Sequence, residues 1–217
     1  MKTLAAALFA GGESRRMGTD KTTLILNGEP LWSRQIRILR ELRPAQLIVS
    51  ARKKPHWCPE EIEAVLDASP SRGPLSGLVA VLERIQTTHL LALAIDLPQM
   101  TGGHLKELWA LAEPGFGIIP QSNQHIEPLC GIYPVECACV ARDALSKEDV
   151  SLGGIVRTLA AQRRVRFYPL TESEAPMYQN FNTPEQWKRA LESGPGDSYK
   201  TQRIIPSPLQ PPDESSF

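Results

Sequence analysis

Net charge is missing from this chain: its 217 residues carry 24 lysines and arginines against 24 aspartates and glutamates. A protein that neutralises a row of phosphates needs a basic face, so no nucleic-acid partner is expected. Long apolar runs are missing as well. No segment reaches the roughly 18 residues of a membrane-spanning helix, and no membrane partner is expected. The opening MKTLAAALFAGGESRR has one lysine and a short apolar run that breaks into Gly-Gly and Arg-Arg, which suits a buried strand better than a signal peptide. The four cysteines, Cys58, Cys130, Cys137 and Cys139, lack paired CxxC spacing. Reduced thiols in a cytoplasmic protein are therefore expected, not disulfides or zinc ligands. His56, His89, His104 and His125 show no metal-ligand spacing and read as solvated or packed residues.

Two familiar nucleotide motifs are also absent. The Walker loop needs GxxxxGK before Ser or Thr, whereas here Lys21 comes three residues after Gly18. The dinucleotide fingerprint GxGxxG fails because Gly11 and Gly12 are adjacent and the next glycine is Gly18. What is present instead is LFAGGESRRMGTDK, residues 8–21, directly after an apolar run. Gly11 and Gly12 lack a Cβ, so backbone N–H groups there can approach an anion closely. Arg15, Arg16 and Lys21 add positive charge suited to a nucleoside triphosphate. The competing reading is a structural turn with surface arginines.

With 41% hydrophobic residues the chain suits a single α/β domain. Strand-length apolar runs at 4–9, 46–51, 63–67, 89–95 and 115–119 alternate with helical patterns, notably 31–42 and 75–85, the latter opened by Pro74. That alternation predicts a mostly parallel sheet covered by helices on both faces. A further strand at 127–133 and helices near 137–146, 152–162 and 184–192 complete a domain spanning 1–192. Residues 193–217, rich in Pro and Ser, read as a flexible tail.

Ligands of such sheets sit at the carboxyl ends of the strands. Those ends are the Gly11-Gly12 loop, Ser50, Asp67 and Asp96. A carboxylate straight after the apolar run HLLALAI is costly to bury without a positive partner. Mg²⁺ on phosphate oxygens would supply one, because that ion takes only one or two protein carboxylates. A helix-capping role for Asp96 is the alternative.

Six blocks in order, LFAGGESRRMGTDK, LDAS at 66–69, RGPLSGL at 72–78, AIDLPQM at 94–100, EPLCGIYP at 127–134 and NFNTPEQW at 180–187, resemble the molybdenum cofactor guanylyltransferases. The resemblance implies a Rossmann-like three-layer nucleotidyltransferase that uses Mg²⁺. It implies transfer of GMP from GTP to the phosphate of molybdopterin, forming molybdopterin guanine dinucleotide and releasing pyrophosphate. Molybdoenzyme apoproteins or their chaperones are the further partners it suggests. Carried onto this chain, the nucleotide contacts fall on Phe9, Ala10, Gly11 and Gly12, the phosphate-binding lysine on Lys21, and the nucleoside-side carboxylate on Asp67. The metal-binding carboxylate falls on Asp96. Phe9 stands where leucine is usual, and Ser50 where some members have a nucleoside-facing asparagine. Asn182 is a second metal ligand by this resemblance, or a cap of the next helix.

The acceptor phosphate is largely dianionic at neutral pH, since its second pKa is near ~6. No general base is then required, in keeping with the lack of a Ser/His/Asp triad. Arg15, Lys21 and Asp96 are the expected catalytic residues, with a surface salt bridge as the alternative for Arg15. The acceptor site is expected around residues 123–130 and the Gly153-Gly154 turn, with no single residue assigned. Rival readings are a sibling enzyme that transfers CMP to molybdopterin or GMP to another cofactor, and a non-catalytic nucleotide-binding protein that delivers cofactor.

Overall fold

The computed structural model describes residues 1–11, 21–67, 71–123, 125–146 and 151–181. In chain order the strands and helices are β1 (Leu4–Phe9), β2 (Ile25–Leu26), β3 (Glu29–Pro30), α1 (Leu31–Arg40), β4 (Gln46–Ala51), β5 (Glu63–Leu66), α2 (Pro74–Arg84) and β6 (His89–Ala94). They continue with α3 (Gly102–Leu111), β7 (Gly117–Ser122), β8 (His125–Ile126), β9 (Ile132–Pro134), α4 (Cys137–Leu145), α5 (Leu152–Ala161) and β10 (Val165–Pro169). Short 3-10 turns occupy Lys21–Thr23, Pro128–Cys130 and Ala175–Tyr178. The helix expected near 184–192 and the tail at 193–217 lie outside the described residues.

Every residue of β1 is buried, and the period of two in a strand divides them between two layers. Leu4, Ala6 and Leu8 join Ile36 and Leu39 of α1 and Leu105 and Leu108 of α3. Ala5, Ala7 and Phe9 join Leu75, Leu78 and Leu82 of α2 and Ile155 and Leu159 of α5. A strand apolar on both faces belongs in the middle of a covered sheet, and β1 is central in the order β10-β7-β9-β6-β1-β4-β5, with β8 paired to β7. The architecture is therefore the expected three-layer α/β arrangement.

Parallel pairing joins β1 to β4 and β6, β4 to β5, and β7 to β10. β9 is the exception. It lies antiparallel between β6 and β7, with Leu91 opposite Ile132 and Ile118 opposite the same residue. The single strand expected at 127–133 is thus a 3-10 turn and then a shorter strand, because Pro128 cannot donate to a ladder. The run expected at 115–119 pairs two residues later, as β7. β2, β3, β8, β10 and α3 were not expected; α3 starts with two glycines, which mask its helical pattern, and Thr101 caps it by accepting from His104 N at 3.2 Å. Pro74 does open α2, after Gly73 at φ 71°.

Behind the sheet edge a buried polar group seats the segment after β10. Glu174 is 5% exposed and accepts hydrogen bonds from Thr171 N (2.9 Å), Thr171 Oγ1 (2.8 Å) and Tyr168 OH (2.7 Å). His104 Nδ1 is 3.6 Å from Glu174, and its Nε2 is 2.6 Å from Tyr178 OH. Burial alone would push the Glu174 carboxyl up, but the hydrogen bonds from Thr171 and Tyr168, with His104 nearby, outweigh it and hold it below the usual range.

Replacing Glu174 by Gln is expected to cost about 1–3 kcal/mol of stability at neutral pH. The folded-state pKa is depressed, so the ionised group's contribution is complete above the unfolded-chain value of about 4.3 and disappears as pH falls through the lower folded value. Urea unfolding of the two proteins from pH 7 down to pH 3 should show the gap narrowing on the acid side. A gap that widens there contradicts the assignment.

Candidate active site

Register sets the site. Phe9 lies opposite Ser50 of β4 and opposite Ala94 of β6, and Ser50 lies opposite Val65 of β5. These parallel strands therefore finish level, and the loops that leave them emerge at one edge. Ala10 N donates to Ser50 O at 2.9 Å, Ile95 N to Phe9 O at 3.1 Å, and Asp67 N to Ala51 O at 3.1 Å. The sheet ladder thus continues one residue past the strands and fixes the start of each loop.

On the α2 side of this edge, Phe9, Ser50 and Asp67 converge on Gly77. A Cβ built on Gly77 would stand 2.8 Å from Ser50 Oγ, 3.0 Å from Asp67 Oδ1 and 3.3 Å from Phe9 Cε1. Glycine is what allows α2 to approach so closely. Asp67 Oδ2 accepts from Ser71 Oγ at 3.0 Å, and Ser76 Oγ accepts from Arg72 N at 2.7 Å, which ties down the turn into α2. Phe9 is 6% exposed and its side chain is part of the core on the α2 side. Gly11 is exposed, with Ala51 Cα 3.6 Å from where its Cβ would be and no left-handed φ. Its approach to β4 is ordinary van der Waals contact. Gly12, Arg15 and Asn182 lie outside the described residues, as does the side chain of Lys21, whose backbone opens the first 3-10 turn.

Asp96 stands two residues beyond β6. Its carbonyl accepts from Phe181 N at 3.4 Å, and α1 holds the loop after it: Gln35 Nε2 donates to Leu97 O at 2.7 Å and Arg34 Nε to Pro98 O at 2.9 Å. Such anchoring limits where the half-buried carboxylate can go. The Asp96 side chain lines a cleft of about 490 Å³ together with His125, Glu127, Leu129, Arg157 and Asn180. The volume falls within the usual range for small-molecule sites.

The other wall of this cleft exists because β9 is antiparallel. A parallel strand brings its end to this edge; β9 brings its beginning, so residues 125–131 face Asp96. Ala92 N donates to Gly131 O at 2.9 Å across that junction. From the helical layer, Ser151 caps α5 by accepting from Gly154 N at 3.1 Å. One turn on, Arg157 Nη1 lies 3.9 Å from the position of a Cβ on Gly153. Burial pushes the Glu127 carboxyl up; His125, at 3.2 Å, opposes this, and the negative charge of Asp96 adds to it. Two carboxylates and one guanidinium thus share the cleft. From the sequence the acceptor is expected around residues 123–130 and the Gly153-Gly154 turn, and residues 125–129 and Gly153 do line this cleft, but no role is assigned from the sequence to Glu127 or Arg157 themselves.

Sequence spacing also misses a second grouping. His104, Glu107 and Glu174 bring ligand atoms within 4.8 Å of one another. The hydrogen bonds of Glu174 and His104 already account for this arrangement, so it reads as structural. His89 is packed, with Nε2 2.9 Å from Glu113 O, while His125 is exposed. All four cysteines are free thiols, three of them buried, and burial pushes Cys137 up to about 12. Among the described residues no helix is long and apolar enough to cross a membrane.

Comparison with known proteins places the chain in a family. Residues 6–165 match the MobA-like NTP transferase domain. A probable molybdenum cofactor guanylyltransferase of Opitutus terrae is 34% identical over 189 residues, 86% of this chain and 94% of that protein. A molybdenum cofactor guanylyltransferase of Xanthomonas euvesicatoria is 29% identical over 191 residues, 87% of this chain and 94% of the other. Among solved structures, molybdopterin-guanine dinucleotide biosynthesis protein A of Archaeoglobus fulgidus has a TM-score of 0.65 at 24% identity, covering 87% of this chain and 97% of its own. A nucleotidyl transferase of Methanothermobacter has a TM-score of 0.69 at 16% identity, covering 88% and 97%. With the family model matched across the sheet and the strand-end site, the chain belongs to the MobA-like NTP transferase family, as a nucleotidyltransferase.

Proposed function

We propose that this chain transfers GMP from GTP to the terminal phosphate of molybdopterin, with Mg²⁺, releasing pyrophosphate. The observation that carries the reading is the position of Asp96. It stands at the same strand-end edge as Ser50 and Asp67, the residues this reading gives to the nucleoside, and lines a cleft large enough for an acceptor. An enzyme that joins two phosphorylated substrates must bring both to one set of charged groups. The curated relatives are named for guanylyl transfer, which supports GTP as donor.

Oxygen donors with no thiolate among the cleft residues suit a hard divalent cation, and Asp96 would hold it together with phosphate oxygens. When bound, the ion draws charge from the α-phosphate and the departing pyrophosphate. The chain's own residues do the positioning. Ser50 and Asp67 face the nucleoside, Lys21 and Arg15 hold the triphosphate, and Asn182 is a further oxygen ligand in this scheme. Arg157 offers a guanidinium to the acceptor's phosphate, a group it matches in two-pronged geometry. The acceptor oxygen is already ionised at neutral pH. It attacks the α-phosphorus, the bond to the bridging oxygen of pyrophosphate breaks, and pyrophosphate leaves with the electron pair. Bringing two anions into line is the main barrier, and fixed cationic groups lower it.

Asp96→Ala is expected to reduce pyrophosphate release in the presence of GTP, molybdopterin and Mg²⁺ by at least roughly 100-fold. Its melting temperature should stay near that of the parent protein. Parent-level turnover at saturating Mg²⁺ would sink the assignment, and faster release with CTP than with GTP would change the donor. Gly77→Ala places a methyl against Ser50 and Asp67. The KM for GTP should rise roughly 10-fold or more, while the helix gains up to about 1 kcal/mol of propensity. Unchanged GTP saturation in that variant would remove Gly77 from the nucleoside seat.

A further inference from the structure

The transfer step needs one carboxylate in the cleft, and the cleft has two. Glu127 is fixed at its wall: its backbone N donates to Pro120 O at 2.9 Å, and the 3-10 turn Pro128–Cys130 begins at the next residue. Its side chain is only 14% exposed, and among the described residues its ion-pair partner is the exposed His125. Holding a carboxylate in so sheltered a place is costly unless donors meet it there. The cleft it lines is mixed, with Pro74, Leu129 and Leu152 beside the polar Asp96, His125, Ser151 and Asn180, and Arg157 enters from α5.

A cleft with apolar side chains, a sheltered carboxylate on its wall and a guanidinium from a neighbouring helix matches a flat heterocycle of particular chemistry. Such a ring has two adjacent N–H donors on one edge and an anionic tail. A pterin has that edge, formed by its 2-amino group and the neighbouring ring N–H. An ionised carboxylate can accept both in parallel, as it does from the two prongs of an arginine.

We infer that Glu127 reads the donor edge of the acceptor's pterin ring and so determines acceptor specificity, an inference that rests on the guanylyl-transfer reading for the identity of the acceptor. A second cation ligand is the other role open to a carboxylate beside Asp96. Pro74, Leu129 and Leu152 in the same cleft give a flat ring apolar surface to lie against, which a hydrated magnesium ion, keeping several of its waters, does not use.

Two measurements on the full chain decide this. In the first, performed without GTP or metal, a soluble pterin bearing a carboxylate competes with its 2-oxo counterpart, in which an acceptor replaces the 2-amino donor. The parent protein should prefer the 2-amino ring roughly 10- to 100-fold, and Glu127→Gln, with an unchanged melting temperature, should lose most of that preference. Glu127→Asp keeps both acceptor oxygens and should retain part of it. In the second, Glu127→Gln should raise the KM for molybdopterin by a similar factor, with the KM for GTP and the half-saturating Mg²⁺ unchanged. No preference in the parent protein overturns the inference, and so does a shifted Mg²⁺ requirement with an unchanged acceptor KM. Ring preference without GMP transfer defeats the functional reading alone; transfer without ring preference defeats only the role of Glu127.

Discussion

The parallel register that places Phe9 opposite both Ser50 and Ala94 is the constraint on which the rest depends. Together with Ser50 opposite Val65, it makes four strands finish together, so that a loop, a hydroxyl and two carboxylates reach one edge. The register is itself held by burial on both sides. Slipping β4 by one residue would exchange Ile48, which packs toward α2, with Val49, which packs toward α1, and would turn Ser50 into the wrong layer. Core packing and site assembly are therefore one requirement, met by the same alternation.

Small side chains complete that requirement on one face. Ala5 and Ala7 of β1 and Ala92 of β6 are fully buried beneath the α2 layer. With so little volume below it, the helix can settle low over the sheet, and at Gly77 it meets the polar ends of β4 and β5. On the other face larger residues, Leu8, Leu91 and Leu93, fill the space under α1 and α3. That face also braces the loop behind Asp96 through Gln35 and Arg34.

Much of this can be read from the sequence, and the remainder shows where such reading stops. The runs ending at Phe9, Ser50, Asp67 and Asp96 are recognisable because each is apolar, strand-length and bounded by a polar residue or a glycine loop. Pro74 marks the start of α2 for a local reason that the structure keeps. The direction of β9 cannot be read, because periodicity carries no sign: an alternating strand looks the same in either orientation. For that reason Glu127 and Arg157 have no visible relation to Asp96, from which they are separated by 31 and 61 positions. The grouping of His104 with Glu174 is hidden in the same way. It depends on β10, a five-residue strand whose apolar run is interrupted by Arg166 and which offers too little pattern to be noticed.

The reversed strand divides the labour of the edge by chain direction. Everything on the nucleotide side leaves a strand, whereas the opposite wall, from His125 to Gly131, enters one. The entering segment is a hairpin return between β7 and β9, closed on itself and tied to the sheet at Pro120 and Ala92. On the proposed assignment, side chains of this return and of α5 can change the acceptor wall without touching the strand ends given to the nucleotide.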